Sequence, residues 1–304
     1  VIPAPNQSAE VRVNVSDPQG VTNVTLHWST NGAAWHHTPM MLAGFASTPG
    51  YAGYSGAIPG QPAGTLVQFY VQAQDGLGAS ATFPSRGTNS RALYRVDDGL
   101  PVMTQLHRVR LLMTPADVHR LHAPTNVMSN DLMGLTVVYD ENEVFYDVGV
   151  HLQGSERGRN SSGRVGFTVR FHEDQLFRGT QRSLVIDRSG GYSGLGGRHD
   201  EILLWHALNH AGGGVLGIEC DLVQVFAPRS QEHGTGLLRL AAFNNDYFDS
   251  QFPDGGAGAR YMMELIYYPQ KTLVDGDPQS PKLPQPDEVI NISFQDWGDD
   301  AENY

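Results

Sequence analysis

The sequence predicts two regions of different fold class: an all-β sandwich over residues 1–98 and an α+β region over residues 99–304. Three observations predict it. The first hundred residues carry short runs with an apolar side chain at every second position, the period of a half-buried strand. Turn residues such as Asn31-Gly32 and Asp75-Gly76 separate those runs, with no helical period between them. Beyond residue 98, similar strands alternate with one clear helix, HDEILLWHALNHAGGG. There Asp200 and Glu201 occupy the positive N-terminal end, Leu204, Leu208 and Ala211 supply an apolar stripe, and Gly212 to Gly214 stop it.

In chain order, AEVRVNVSD places Val11, Val13 and Val15 on one strand face, and NVTLHWST does the same with Val24, Leu26 and Trp28. TLVQFYVQAQDGLGA sets Val67, Phe69, Val71 and Ala73 against Gln68, Tyr70, Gln72 and Gln74. TPADVHRLH predicts a short helix with Thr114 as N-cap and Pro115 at the first helical position. VFYDVGVHL alternates through Val144, Tyr146, Val148, Val150 and Leu152, and VGFTVRF through Val165, Phe167, Val169 and Phe171. RSLVIDRSG is a further strand, DLVQVFAP and GTGLLRLAAF form a hairpin, NNDYFDSQF is a short helix, and ARYMMELIYY is a strand.

Composition bounds the function. A chain of 304 residues suggests two domains, and 40% apolar residues suffice for real cores. A net charge of −12 argues against a general nucleic-acid binder. No apolar run reaches the roughly 18 residues of a transmembrane helix. Cys220 is the single cysteine, so no internal disulfide exists, and its apolar neighbours in IECDLVQVF predict a buried thiol. The opening VIPAPNQSAE, with neither an initiator Met nor a signal peptide, reads as the start of a piece cut from a longer chain.

Between the strands ending at Leu152 and beginning at Val165 lie twelve residues, QGSERGRNSSGR, far more than a tight hairpin needs. A loop of this make-up either holds an anion or is a solvated turn. Glycine lets a backbone approach phosphate, and Ser hydroxyls and Arg forks satisfy its oxygens. Arg170 and Glu201 form either one ion pair or an exposed strand residue and a helix-dipole partner. His206 and His210 sit i, i+4 but lack the Glu of a zinc-helix motif, and the pairs His36/His37 and His119/His122 lack a third ligand, so no metal site is assigned. Asn244, Asn245, Asp246 and Asp249 lack calcium-loop spacing. The segment 275–288 is a Pro- and Asp-rich surface loop.

Two resemblances follow from these stretches. The DPQGV opening, the YSGAIPGQPAGT turn and the FYVQAQDGLGA strand resemble bacterial Ig-like or fibronectin-III-like modules of exported proteins. VGVHLQGSERGRNSSGRVGFTVRF, LFRGTQRSLVIDRS and DEILLWHALNHAGG resemble the spore-coat protein H (CotH) kinase-like family, over residues 99–304. The resemblance implies an atypical kinase-like N-lobe of α+β class, with the C-terminal lobe missing. It implies ATP with Mg or Mn as cofactor of the parent, and Ser/Thr hydroxyls of surface or matrix proteins as acceptors. The nucleotide site it implies comprises Gly154, Ser155, Arg157, Gly158, Arg159, Ser161, Ser162, Arg170 and Glu201, with catalytic acids beyond Tyr304. The chain departs from that pattern: Arg170 stands where ordinary kinases place Lys, and Ala241, Ala242 and Phe243 follow the hairpin where the family tends to keep a Glu. The expected protein is therefore an inactive fragment of an exported, cell-envelope or extracellular kinase. The alternative is a non-catalytic structural or adhesive surface protein on the same scaffold.

Overall fold

The structure, a computed structural model, describes residues 2–45, 50–154, 159, 163–188, 199–211, 218–240, 261–266 and 291–296. It divides into two compact units, Val1–Val118 with Gly134–Val148 and His119–Met133 with Gly149–Tyr304.

The first unit opens with β1 (Ala9–Val15), β2 (Val21–Thr30), β3 (His36–Pro39), β4 (Met41–Phe45), β5 (Ala52–Ile58), β6 (Leu66–Asp75), β7 (Ser80–Phe83) and β8 (Leu93–Arg95). They make two antiparallel sheets, one ordered β1-β5-β4 and one ordered β3-β2-β6-β7, with β8 also paired to β6. The alternation decides which faces meet. Val24, Leu26, Val67 and Val71 join Met40 and Ile58 in a buried cluster, against which Val11, Val13, Val15, Trp28 and Phe69 pack.

Further on come β9 (His107–Leu112), α1 (Pro115–Leu121), β10 (Met133–Tyr139) and β11 (Glu143–Gln153). A second cluster, Leu66, Leu93, Leu112 and Val138, with Val144 against it, ties β6 and β8 to β9 and β10. Thr114 caps α1 as its sequence predicts: the Asp117 amide donates to Thr114 Oγ1 at 3.2 Å, and that hydroxyl donates to Asp117 Oδ2 at 2.7 Å.

β11 does not keep the uninterrupted alternation expected of it. Asp147 adopts φ +58°, the left-handed region that Asp tolerates better than most side chains, and the phase breaks there. Phe145 is fully buried before it, and Val148, Val150 and Leu152 are buried after it. The buried Asp147 carboxylate accepts from Arg86 Nε at 3.0 Å, from Arg86 Nη2, and from the Arg91 amide at 2.9 Å. The Arg91 guanidinium in turn holds Asp117, while the Arg91 carbonyl accepts from Thr136 Oγ1. One carboxylate thus links the approach to β8 with β10, β11 and α1.

The second unit contains the end of β11, β12 (Gly166–Arg170), β13 (Ser183–Arg188), α2 (His199–Ala211), β14 (Cys220–Phe226), β15 (Gly234–Arg239), β16 (Tyr261–Ile266) and β17 (Asn291–Asp296). From β11 onward the strands neighbour one another in the order β11-β12-β13-β15-β14, all antiparallel, and β16 pairs with β17 separately.

The expected α+β, kinase-like class is corrected by this architecture. Beyond residue 98 strand residues outnumber those of α1 and α2 about three to one among the described residues, with β9 to β15 in a seven-stranded, barrel-like sheet. The physical reason lies in strands such as GFTVR, buried on both faces, which draw their packing from within a curled sheet. α2 adds little to that packing. Its predicted apolar stripe is largely exposed, with Leu204 at 56% and neighbouring Leu203 at 66%. Asp147→Asn keeps the left-handed preference but removes the charge. Urea unfolding should show a loss of about 1–3 kcal/mol, because Arg86 and the Arg91 amide lose a buried charged acceptor and meet an amide NH2 in place of one of its oxygens.

Candidate functional site

Of the residues the sequence singles out for a nucleotide, Gly154 ends β11 at φ +101°, a conformation that glycine adopts freely. Arg159 is buried, and its guanidinium donates to the Gly154 carbonyl at 2.7 Å, the Ser129 carbonyl at 3.3 Å and Asn130 Oδ1 at 2.8 Å. Burial lowers its pKa from the ordinary arginine value. Its fork is thus spent on backbone and amide oxygens. Arg170 closes β12 opposite Gly149 and Ser183, half-buried and engaged. Ser155, Arg157, Gly158, Ser161 and Ser162 lie outside the described residues, as does the Glu201 side chain, whose backbone lies in α2.

Other candidates also find places. The His206 and His210 rings lie 4.2 Å apart, tilted by 40°, and His210 Nδ1 lies 2.8 Å from the His206 carbonyl oxygen. Cys220 is half-buried, less enclosed than its sequence setting predicts, because it opens β14 before that strand's fully buried run. The segments 244–252 and 275–288, and the tail after Asp296, lie outside the described residues.

A cavity of about 550 Å³ lies in the first unit. β1 forms one wall along residues Ala9 to Asn14, and Phe69, Val71, Phe83, Pro84, Tyr94 and Tyr146 form the other. β1 stands at the edge of its sheet, with β5 as its single neighbour there, so the cavity runs beneath an edge strand. Tyr146 meets Phe69 edge-on at 5.6 Å, and Tyr94 lies 6.2 Å from the same ring. Burial, with Tyr146 beside it, pushes the Tyr94 phenol up to about 12, and burial alone raises Tyr146. Both phenols are therefore neutral hydrogen-bonding groups at any physiological pH. Sequence reasoning placed Phe69, Val71 and Tyr146 on alternating strand faces without assigning any of them to a site, and it did not single out Tyr94. The turn-rich stretch before β8 hides Tyr94, and the phase break at Asp147 hides the role of Tyr146.

In the second unit, Glu232 is fully buried and accepts from Arg229 Nε at 2.8 Å, a pair legible as i, i+3 spacing. His122 Nε2 lies 3.7 Å from Glu232 Oε1, and neither His122 Nε2 nor Glu232 Oε2 has a hydrogen-bond partner among the described residues. Burial, reinforced by the Arg229 charge, pushes His122 down to about 4, so a neutral imidazole faces the carboxylate at neutral pH. Burial raises Glu232, and Arg229 opposes that rise. Two such side chains complete no metal shell among the described residues.

No family model and no curated protein matches the chain. Among solved structures, a cycloalternan-forming enzyme from Listeria monocytogenes in complex with a pentasaccharide substrate aligns at a TM-score of 0.26 and 8% identity, over 62% of this chain and 16% of that one. An uncharacterised protein from the same organism, in complex with glucose, magnesium and calcium, aligns at 0.27 and 8% over the same shares. The chain thus spans about one sixth of those proteins, and likenesses this slight carry no argument for its fold or chemistry.

The His122 environment predicts a pH response of defined sign. The folded-state pKa lies near 4 and the unfolded value near 6.5, so between those values the unfolded chain binds more protons. Stability should fall as pH drops from 6.5 to 4 and this contribution should level off below. Thermal unfolding midpoints of His122→Gln should show a flatter slope across that window than the parent chain.

Proposed function

We propose that the chain is a non-catalytic binding protein of the adhesive, exported type, and that its first unit holds an apolar ligand beneath β1. The observation that carries this reading is the cavity itself. At about 550 Å³, walled by aromatic rings and an edge strand, it has the size and lining of a small-molecule pocket. Its lining is mostly apolar, and the phenols of Tyr94 and Tyr146, with Asn14 and the Glu10–Arg12 pair on β1, supply the polar groups that orient a guest. The resemblance of residues 1–98 to exported Ig-like modules supports the same reading. Nile red, a neutral apolar dye, should bind the native chain saturably at one site. Phe83→Ala, which removes an exposed wall residue, should weaken that binding about five- to tenfold. Absence of saturable binding would overturn the reading.

A second reading is favoured by one observation: Gly154 turns out of β11 at φ +101° directly into the segment that resembles the CotH family. In this reading a longer parent moves the γ-phosphate of ATP, with Mg or Mn, to Ser or Thr of a surface protein. Ser155, Arg157, Gly158, Ser161 and Ser162 cradle the phosphates. Calorimetric titration of ATP with Mg²⁺ should then give metal-dependent heat that disappears in Arg157→Ala. Titration without heat would sink it.

A further inference from the structure

The inference rests on the reading of the cavity beneath β1 as a ligand site and names the ligand class. Tyr94 and Tyr146 line that cavity on one side and a second, smaller one on the other, of about 70 Å³. The lining of the smaller space is mixed. Ile2, Leu93, Leu112 and Val144 make its apolar sides, and Arg95 and Arg110 supply its charges. It exceeds several-fold the roughly 10–15 Å³ that one water needs, so a carboxylate head fits.

The two arginines differ in what they hold. Arg110 is occupied: its Nε donates to both Glu141 oxygens at 2.8 and 3.0 Å, and Asp98 lies 3.8 Å from its Nη1. Arg95 is half-buried, and its guanidinium has no hydrogen-bonded or ion-paired partner among the described residues. Asp98, which acts on it at longer range, also accepts the Leu100 amide at 3.3 Å. Burial and the neighbouring Arg110 both work against the Arg95 charge. A guanidinium so placed is completed by a planar anion able to accept two parallel hydrogen bonds.

We infer that the first unit binds a carboxylate carried on an apolar chain, with the head at Arg95 behind the Tyr94–Tyr146 pair and the body in the cavity beneath β1. The two tyrosines form the threshold between the charged end and the apolar end. Charge complementarity selects the head, and the aromatic wall accepts any body of suitable width.

Octanoate and 1-octanol share the body and differ in the head, so calorimetric titration of each into the full chain separates the two contributions. The expected result is one-site octanoate binding at least tenfold tighter than octanol, with Arg95→Met lowering octanoate to the octanol level and leaving octanol unchanged. Arg95→Gln serves the same comparison where the methionine variant fails to fold, and the two ligands on the unaltered chain give an answer without either. Equal affinities for the two ligands, octanoate binding that survives Arg95→Met, or no octanoate binding would each overturn the assignment. Equal affinities would leave the apolar cavity standing as a site, whereas failure of Nile red to bind would remove the cavity itself.

Discussion

The first unit depends on one carboxylate. Asp147 sits where β11 leaves regular geometry, and its two oxygens gather Arg86, the Arg91 amide and, through the Arg91 side chain, Asp117 at the head of α1. The left-handed backbone at Asp147 and the buried charge are each unfavourable alone. Together they satisfy one another: the kink aims the carboxylate, and the guanidinium fork of Arg86 and the Arg91 amide compensate for its burial. The phase break also has a positional result. It leaves Tyr146 half-buried facing Phe69, while Val148, Val150 and Leu152 turn inward in the strand's second half.

Much of the strand inventory was legible because period-two alternation is a direct record of which face is buried. Val11, Val13 and Val15 pack on the core that Val24 and Leu26 build, as their spacing predicts. Thr114 and Pro115 mark the start of α1 because capping chemistry is local. What failed was the step from elements to class. One clear helix and a familiar order of segments suggested an α+β domain, but α2 leaves Leu203 and Leu204 exposed, and the strands pack within a barrel-like sheet. Whether an amphipathic helix finds a surface is a property of its neighbours, which spacing does not encode.

The candidate sites were less legible for the same reason. Arg86 and Asp147 are 61 residues apart, and nothing in either neighbourhood predicts the other. Arg159 stood out in the sequence as one of several arginines in a glycine- and serine-rich loop, yet its fork closes on Gly154, Ser129 and Asn130. Arg95 attracted no notice, being one arginine at the end of a three-residue strand. It becomes conspicuous only once Arg110 is seen to be taken by Glu141 and the Arg95 guanidinium to have no acceptor among the described residues. An arginine's role is set by the partner it lacks as much as by the one it has.

The placement of β1 has a mechanical consequence. As an edge strand it is held laterally by β5 alone, through the run from Ala9↔Ile58 to Val15↔Ala52, so it is the element of the sandwich that tension on the N-terminus reaches first. The same strand is one wall of the cavity. A guest lodged between β1 and the aromatic wall opposite would work as a rivet, raising the force needed to peel the strand away. Pulling the strand off would open the compartment and release the guest. Load and occupancy would then be coupled through a single seven-residue strand.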